Sequence, residues 1–220
     1  RNGKVVPKSP AKRTSWSNAV SEALVAEAEK DQRVVAVTAA MPDGTGLNVF
    51  QSRFPGRFFD VGICESHAVA LGAGLAAGGM RPAVAIYSTF LQRSYDQLYH
   101  ELALNESLPV VLLVDRGGLV GADGASHQGL YDIAYARSLP NLIVAAPADV
   151  RSMRQMLHLA LAAEHSVLIR YPRDSVPEAD LSEQAVEIGR GAILREGSRG
   201  AILAYGTSAQ DALAAAERLA

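Results

Sequence analysis

The segment Tyr87-Ser88-Thr89-Phe90-Leu91-Gln92-Arg93-Ser94-Tyr95-Asp96-Gln97 gathers aromatic, hydroxyl, guanidinium and amide groups where an apolar run gives way to a helical one. That junction is where open α/β sheets bind ligands. Two further segments carry the same kind of groups: the acidic block Asp60-Val61-Gly62-Ile63-Cys64-Glu65-Ser66-His67 and the polar loop from Asp115 to Gly129. Glu65 sits at a strand-to-helix junction beside apolar Ile63 and Cys64, near the positive end of a helix dipole. It can be a carboxylate favoured by the first helical turn, or a partly dehydrated carboxyl suited to sharing a proton. The loop holds five glycines, so its backbone can approach a ligand and move. Its Arg116, Asp123 and His127 offer an anion fork, a hydrogen-bond acceptor and a proton donor near physiological pH. By themselves Tyr87 and Phe90 read as core aromatics, Arg93 as an exposed residue or a partner of Asp96, and His67 as a core or interface histidine. With one cysteine and no His-x-x-x-His or paired-cysteine spacing, no metal site is expected within the chain.

Several elements must position these groups. Short β-branched runs alternate with small-residue or amphipathic segments, the pattern of parallel strands joined by crossover helices. A helix capped by Thr14 or Ser15 buries Trp16, Ala19, Val20, Ala23 and Leu24. Strands are expected at Val34–Thr38, about Phe58–Val61, Ala83–Tyr87, Val110–Val114, Leu142–Ala146 and Val167–Arg170. Helices are expected over about Glu65–Ala77, Leu91–Glu106, Leu130–Arg137 and Val150–Ala163. Gly72, Gly74 and Gly78 weaken the helix after Glu65, which suggests close approach of its backbone to a sheet or another subunit. The predicted fold is α/β: a doubly wound, mainly parallel six-stranded sheet with helices on both faces, plus the beginning of a second α/β domain.

The domain reading is a basic linker over 1–13, a main domain over 14–173, a connector over 174–188 rich in prolines and acids, and an incomplete domain over 189–220. In that last part Ala192-Ile193-Leu194 and Ala201–Tyr205 read as strands and the residues after Ser208 as a helix. So few elements cannot bury their own apolar faces, and they are expected to dock on the main domain, a partner or further chain. Of 220 residues 49% are hydrophobic and the formal charge is -2, which suits a large core and gives no reason to expect a nucleic-acid or membrane partner. The cluster Arg1, Lys4, Lys8, Lys12 and Arg13 is interrupted by Pro7 and Pro10 and reads as a solvated linker. A lone Cys64, no bilayer-length apolar run and no secretory pattern lead us to expect a cytoplasmic location.

Thr38-Ala39-Ala40-Met41 with Gly44-Thr45-Gly46-Leu47, the Asp60–His67 block, Tyr87–Gln97, Asp115-Arg116 with Gly121-Ala122-Asp123-Gly124-Ala125-Ser126-His127-Gln128-Gly129, and Arg170-Tyr171-Pro172-Arg173 together resemble the 1-deoxy-D-xylulose-5-phosphate synthases. These are thiamine diphosphate enzymes of the transketolase-like superfamily, and the resemblance runs from about Thr14 to Arg173, their pyrimidine-binding domain. It implies decarboxylative condensation of pyruvate with D-glyceraldehyde 3-phosphate, the first step of the methylerythritol phosphate route to isoprenoids. By the same resemblance Glu65 hydrogen-bonds N1′ of the cofactor and drives its aminopyrimidine to the imino form, Phe90 stacks on that ring, and Ile63 adjoins the cofactor. Tyr87 and Arg93 would lie near the substrate's phosphate end, Arg116 and Arg173 would hold the phosphate of the acceptor aldehyde, and Asp123 and His127 would contact its hydroxyls and reacting carbonyl.

The family's Gly-Asp-Gly and downstream Asn, which hold Mg2+ and the diphosphate, do not occur in the 220 residues; in these enzymes they belong to an N-terminal domain. The chain is therefore expected to be inactive alone, to need that domain or a separate chain bearing it, and to act in a homodimer. Members usually carry Ala-Glu-Gln-His where Cys64-Glu65-Ser66-His67 stands, and glycine where Asp174 stands. That last change is expected to weaken acceptor binding. Two other readings are the pyrimidine-binding subunit of a split transketolase or 2-oxo acid dehydrogenase, and a non-catalytic partner that dimerises through its glycine-rich helix.

Overall fold

The computed structural model describes residues 14–177 and 180–220; the basic linker expected over 1–13 lies outside them. Helix α1, Trp16–Lys30, begins where the Ser15 hydroxyl accepts the Asn18 N–H, and it buries Trp16, Ala19, Val20, Ala23 and Leu24, as their spacing predicts. Six strands follow: β1 Val34–Thr38, β2 Phe58–Asp60, β3 Arg81–Tyr87, β4 Val111–Asp115, β5 Leu142–Ala145 and β6 Ser166–Arg170. They form one sheet in the order β2-β1-β3-β4-β6-β5. Every pair in it is parallel, so the sheet is wholly rather than mainly parallel.

The central strands are buried on both faces, which is why they read as continuous apolar runs rather than alternating ones. Val34, Ala36, Ala83, Ala85, Val111, Leu113, Val167 and Ile169 pack on one face against α1, against Phe50 of α2 (Asn48–Arg53) and against Met153, Leu157 and Leu161 of α7 (Val150–Ala162). Val37, Val84, Ile86, Leu112, Val114 and Leu168 point the other way, onto Ala68, Val69, Ala73 and Ala76 of α3 (Glu65–Ala77) and onto Leu91, Leu98 and Leu102. Gly72 accounts for the close seat of α3, since a Cβ there would lie 2.6 Å from Val84 Cγ2. Gly74 has no atom within 4 Å of such a Cβ, so only part of the glycine pattern serves contact with the sheet.

Two expectations are corrected. The helix expected at Leu91–Glu106 starts earlier and changes pitch: α4 Ser88–Leu91, a 3-10 turn Gln92–Ser94, α5 Tyr95–Gln97 and a π-helix Leu98–Ala103. The wide π turn brings Leu98, Leu102 and Ala103 to the core together, although Leu102 and Ala103 are adjacent in sequence. The second correction concerns Ala192–Leu194 and Ala201–Tyr205, which form no strand; Ile193 is 63% and Leu203 96% exposed. A strand needs an edge to pair with, and here the tail instead follows α7, with Arg151 Nη2 donating to Glu183 O and Val186 N to Gln155 Oε1. Only the start of α8 (Ser208–Arg218) docks, through buried Ala209. The short α6, Asp132–Ala136, lies where the sequence pattern puts it.

Candidate active site

The chain leaves β1 toward β2 and leaves β3 toward β4, on opposite sides, so the carboxyl ends of β1 and β3 flank a point where strand order reverses. Such points leave a crevice for ligands. Thr38 aligns with Asp60 and with Ala85, and Tyr87 with Asp115. The motifs singled out above follow these ends.

Glu65 is the first residue of α3, as its position predicts. Its side chain is only 6% exposed, and its nearest cation is Arg93, whose Nη1 lies 3.7 Å from Oε2, too far for a hydrogen bond. Among the described residues no hydrogen bond reaches the Glu65 carboxyl. Its oxygens keep a little access to the crevice and no protein donor, so the carboxyl is open to a ligand there. Ser66 ties α3 to the next segment, its hydroxyl donating to Arg93 O at 2.9 Å. Arg93 does not pair with Asp96, which instead meets His100 at 2.8 Å. Ile63, 76% exposed, projects ahead of α3.

A ladder of rings and cations crosses the crevice. Tyr87 and Phe90 stack with centroids 5.8 Å apart. The His127 ring meets them edge-on at 6.4 and 5.3 Å. Arg93 Cζ lies 5.7 Å from the Phe90 ring centre and Arg116 Cζ 3.7 Å from that of Tyr87, distances at which a guanidinium is drawn to a ring face. Burial is the main reason the Tyr87 phenol is pushed above its usual range, against the Arg116 charge.

Arg116 is the most constrained residue of the site. It is buried, with a backbone φ of 61°, in the left-handed region that residues other than glycine rarely enter. Its Nε donates to Asp123 Oδ2 at 3.0 Å, and its Nη1 donates to Gly44 O at 2.6 Å and to Asp115 Oδ1 at 2.9 Å. Arg173 Nη1 meets the other oxygen of Asp123, Oδ1, at 2.5 Å, so Arg116 and Arg173 converge on one carboxylate. Burial works to lower the Arg116 pKa, but Asp115, Tyr87 and Asp123 together hold it above the ordinary value. Asp115 is fully buried and accepts the Ser17 hydroxyl at 2.7 Å. Burial pushes its carboxyl up, opposed by Ser17 and Arg116.

The glycine loop is pinned rather than slack. Gly118 and Gly129 exchange backbone bonds of 2.7 and 2.9 Å. The Gln128 amide bonds to both backbone groups of Val120 and to Gly124 O, and Thr89 Oγ1 donates to Ser126 O. His127 Nδ1 lies 2.9 Å from Ser126 Oγ. Glu65, Phe90 and Arg93 thus form one group and Arg116, Asp123 and Arg173 another, with Tyr87 and His127 between them. Sequence reasoning missed Ser17, Gly44 and the role of Asp115. An acid ending an apolar strand was a signal for Asp115, whereas Ser17 reaches it from 98 residues away and carries no local mark. Among the described residues no cluster of three or more His, Cys, Asp or Glu could hold a metal, and no helix is long and apolar enough to cross a membrane.

The family model described as "Transketolase, pyrimidine binding domain" matches residues 12–178. Among curated proteins, the 1-deoxy-D-xylulose-5-phosphate synthase of Oleidesulfovibrio alaskensis is 52% identical over 207 residues, covering 93% of this chain and 32% of that protein. The same enzyme of Acidovorax ebreus is 50% identical over 223 residues, covering 100% and 35%. The chain therefore spans about a third of the length of the curated relatives it matches. A solved structure titled "Split gene transketolase, inactive beta4 tetramer" superposes with a TM-score of 0.84 at 32% identity, covering 94% of this chain and 68% of that one. A Pichia stipitis transketolase superposes at 0.69 with 19% identity over 79% of this chain and 28% of its own, a likeness of fold alone. The chain, with a doubly wound sheet carrying Glu65 and Phe90 at its switch point, therefore belongs to the transketolase pyrimidine-binding domain family.

Proposed function

We propose that this chain is the pyrimidine-binding part of a 1-deoxy-D-xylulose-5-phosphate synthase, joining pyruvate to D-glyceraldehyde 3-phosphate with loss of carbon dioxide. The observation that carries the reading is the largely buried Glu65 carboxyl, without a hydrogen bond among the described residues and 3.7 Å from Arg93, whose guanidinium lies over the Phe90 ring. An aminopyrimidine can meet both groups, its ring nitrogen by sharing a proton with the carboxyl and its flat, electron-poor face by lying on the phenyl group. Identity of 52% to a synthase of that name supports the substrate class.

Thiamine diphosphate, when bound, supplies an acidic thiazolium carbon and an electron sink for decarboxylation. The chain's residues would do the rest. Glu65 holds a proton at its carboxyl oxygen against the pyrimidine, while Phe90 and Ile63 fix the plane of that ring. Arg116 and Arg173 receive the acceptor's phosphate, two guanidinium forks matching a dianion in geometry and charge. Tyr87 supports Arg116 from beneath, Arg93 adds positive charge beside Glu65, and Asp123 and His127 address the acceptor's hydroxyls and carbonyl. Mg2+ and the diphosphate are assigned to a complementing N-terminal domain or chain, and a cytoplasmic homodimer belongs to the same proposal.

The test is Glu65→Gln in the full-length protein, measuring carbon dioxide release from pyruvate with and without D-glyceraldehyde 3-phosphate. We expect turnover to fall about 100-fold or more while thiamine diphosphate still raises the thermal midpoint. A variant within twofold of the parent refutes the assignment. A second reading, the pyrimidine-binding subunit of a split transketolase, is favoured by the 0.84 superposition on a structure of that title. Preference for ketose phosphates over pyruvate would select it.

A further inference from the structure

We propose that the first turn of α1 is a common mount for the two arginines of the acceptor-phosphate site, with Ser17 and Asp115 as positioning residues. This rests on the reading of Arg116 and Arg173 given above and adds what sets their spacing. Arg116 is fastened through its neighbour, because Asp115 Oδ1 accepts from Arg116 Nη1 at 2.9 Å while Asp115 Oδ2 accepts from Ser17 Oγ at 2.7 Å. Arg173 is fastened through its own neighbour to the same turn, with Trp16 N donating to Asp174 O at 3.0 Å and Val176 N to Thr14 O at 2.9 Å. Ser15 and Ser175 pair across this seam. The chain thus brings strand ends β4 and β6, neighbours in the sheet, under one helical turn contributed from the start of the domain.

The geometry makes Arg116 sensitive to that mount. Its left-handed φ of 61° turns the side chain back over the carboxylate of the preceding residue, a conformation that persists only when surrounding contacts determine it. Nε, Nη1 and one ring-facing surface are engaged by Asp123, by Gly44 with Asp115, and by Tyr87. Nη2 has no partner among the described residues and is the donor left for a ligand. Asp115 cannot relax toward solvent, being fully buried, so the Ser17 hydroxyl decides which way its carboxylate faces and hence where Nη2 sits. A role in stability alone would leave acceptor selectivity untouched.

The experiment uses the full-length protein with two acceptors, D-glyceraldehyde 3-phosphate and unphosphorylated D-glyceraldehyde, and compares the parent with Ser17→Ala, Ser17→Thr and Arg116→Ala. For Ser17→Ala we expect KM for the phosphorylated acceptor to rise about tenfold, equivalent to about 1.4 kcal/mol. KM and kcat with the unphosphorylated one should stay within about twofold, and Ser17→Thr, which keeps the hydroxyl, should restore the parent value. Equal changes for both acceptors, no change for either, or no rescue by threonine overturns the mount. If Arg116→Ala abolishes the preference for phosphate while Ser17→Ala does not, the mount falls and the phosphate site stands. If Arg116→Ala also leaves the preference intact, the phosphate site and the mount fall together.

Discussion

Replacing Gly129 by alanine should damage the loop that carries Arg116 and Asp123, and by a calculable amount. The added Cβ would lie 2.1 Å from Arg116 O and 2.8 Å from both Cβ and Oγ of Ser88. Neither neighbour yields easily. Arg116 O belongs to a residue held left-handed by its side-chain contacts, and Ser88 is a buried residue opening α4. Relief requires the strand of loop at Gly129 to move by about 1.4 Å, judged against ordinary van der Waals separations of about 3.5 Å. That movement breaks the paired bonds to Gly118, at 2.7 and 2.9 Å. Two hydrogen bonds at about 1 kcal/mol each and an overpacking cost of about 1–3 kcal/mol sum to about 3–5 kcal/mol, a large share of a typical domain's stability. Gly121 provides the control in the same loop, since a Cβ there meets nothing within 4 Å and its alanine variant should lie within about 0.5 kcal/mol of the parent. Equilibrium urea denaturation of both variants decides the matter. Equal midpoints for Gly129→Ala and Gly121→Ala would show that the loop is not held in the way described.

Two other outcomes are expected. Asp132→Ala removes the partner of Arg170, whose Nε lies 2.9 Å from Asp132 Oδ2 with side chains 12% and 1% exposed; stranding that cation should cost about 3–5 kcal/mol. The double change Asp132→Leu with Arg170→Met should cost less by denaturation, and a double variant as weak as Asp132→Ala would count against a charge-pair explanation. Glu27 is held below its usual 4.5, because hydrogen bonds from Lys30 and His158 outweigh a burial influence that works the other way. A depressed carboxylate contributes stability above its unfolded pKa and loses it as pH falls through the lower folded value. Glu27→Gln should therefore flatten the loss of stability below about pH 4.5, and identical acid limbs for parent and variant would refute this.

The strands were legible because each depends on what a sequence displays directly. Val34–Thr38 and Ser166–Arg170 are short apolar runs bounded by polar residues, and burial on both faces requires no alternation. Helix α3 could be placed to the residue because Cys64-Glu65 and Gly78 punctuate it. What stayed hidden depends on partners distant in sequence. The π turn at Leu98–Ala103 exists because Leu102 and Ala103 must both meet the sheet, a demand no helical period expresses. Ala201–Tyr205 has the composition of a strand, yet composition cannot supply an edge to pair with, and Leu203 stays exposed. Site chemistry divides the same way. Glu65, Phe90 and Arg116 could be named from residue type and resemblance, whereas the sharing of Asp123 by Arg116 and Arg173 needs the loop folded back onto β6.

The three departures from the family pattern differ in consequence once their surroundings are known. Cys64 is exposed ahead of α3 and leaves the Glu65 carboxyl where it is. Ser66, though shorter than glutamine, makes a bond of its own to Arg93 O at 2.9 Å, which fixes the turn that carries Arg93 over Phe90. Asp174 was expected to weaken acceptor binding by placing a negative charge beside Arg173. Its carboxylate, however, accepts the Ser175 N–H at 2.6 Å while Arg173 turns to Asp123 at 2.5 Å. The carboxylate nearer both guanidinium groups is therefore Asp123, which already bridges them. On the proposed phosphate assignment, Asp123 rather than the extra acid at position 174 is the carboxylate that an acceptor's phosphate would meet first.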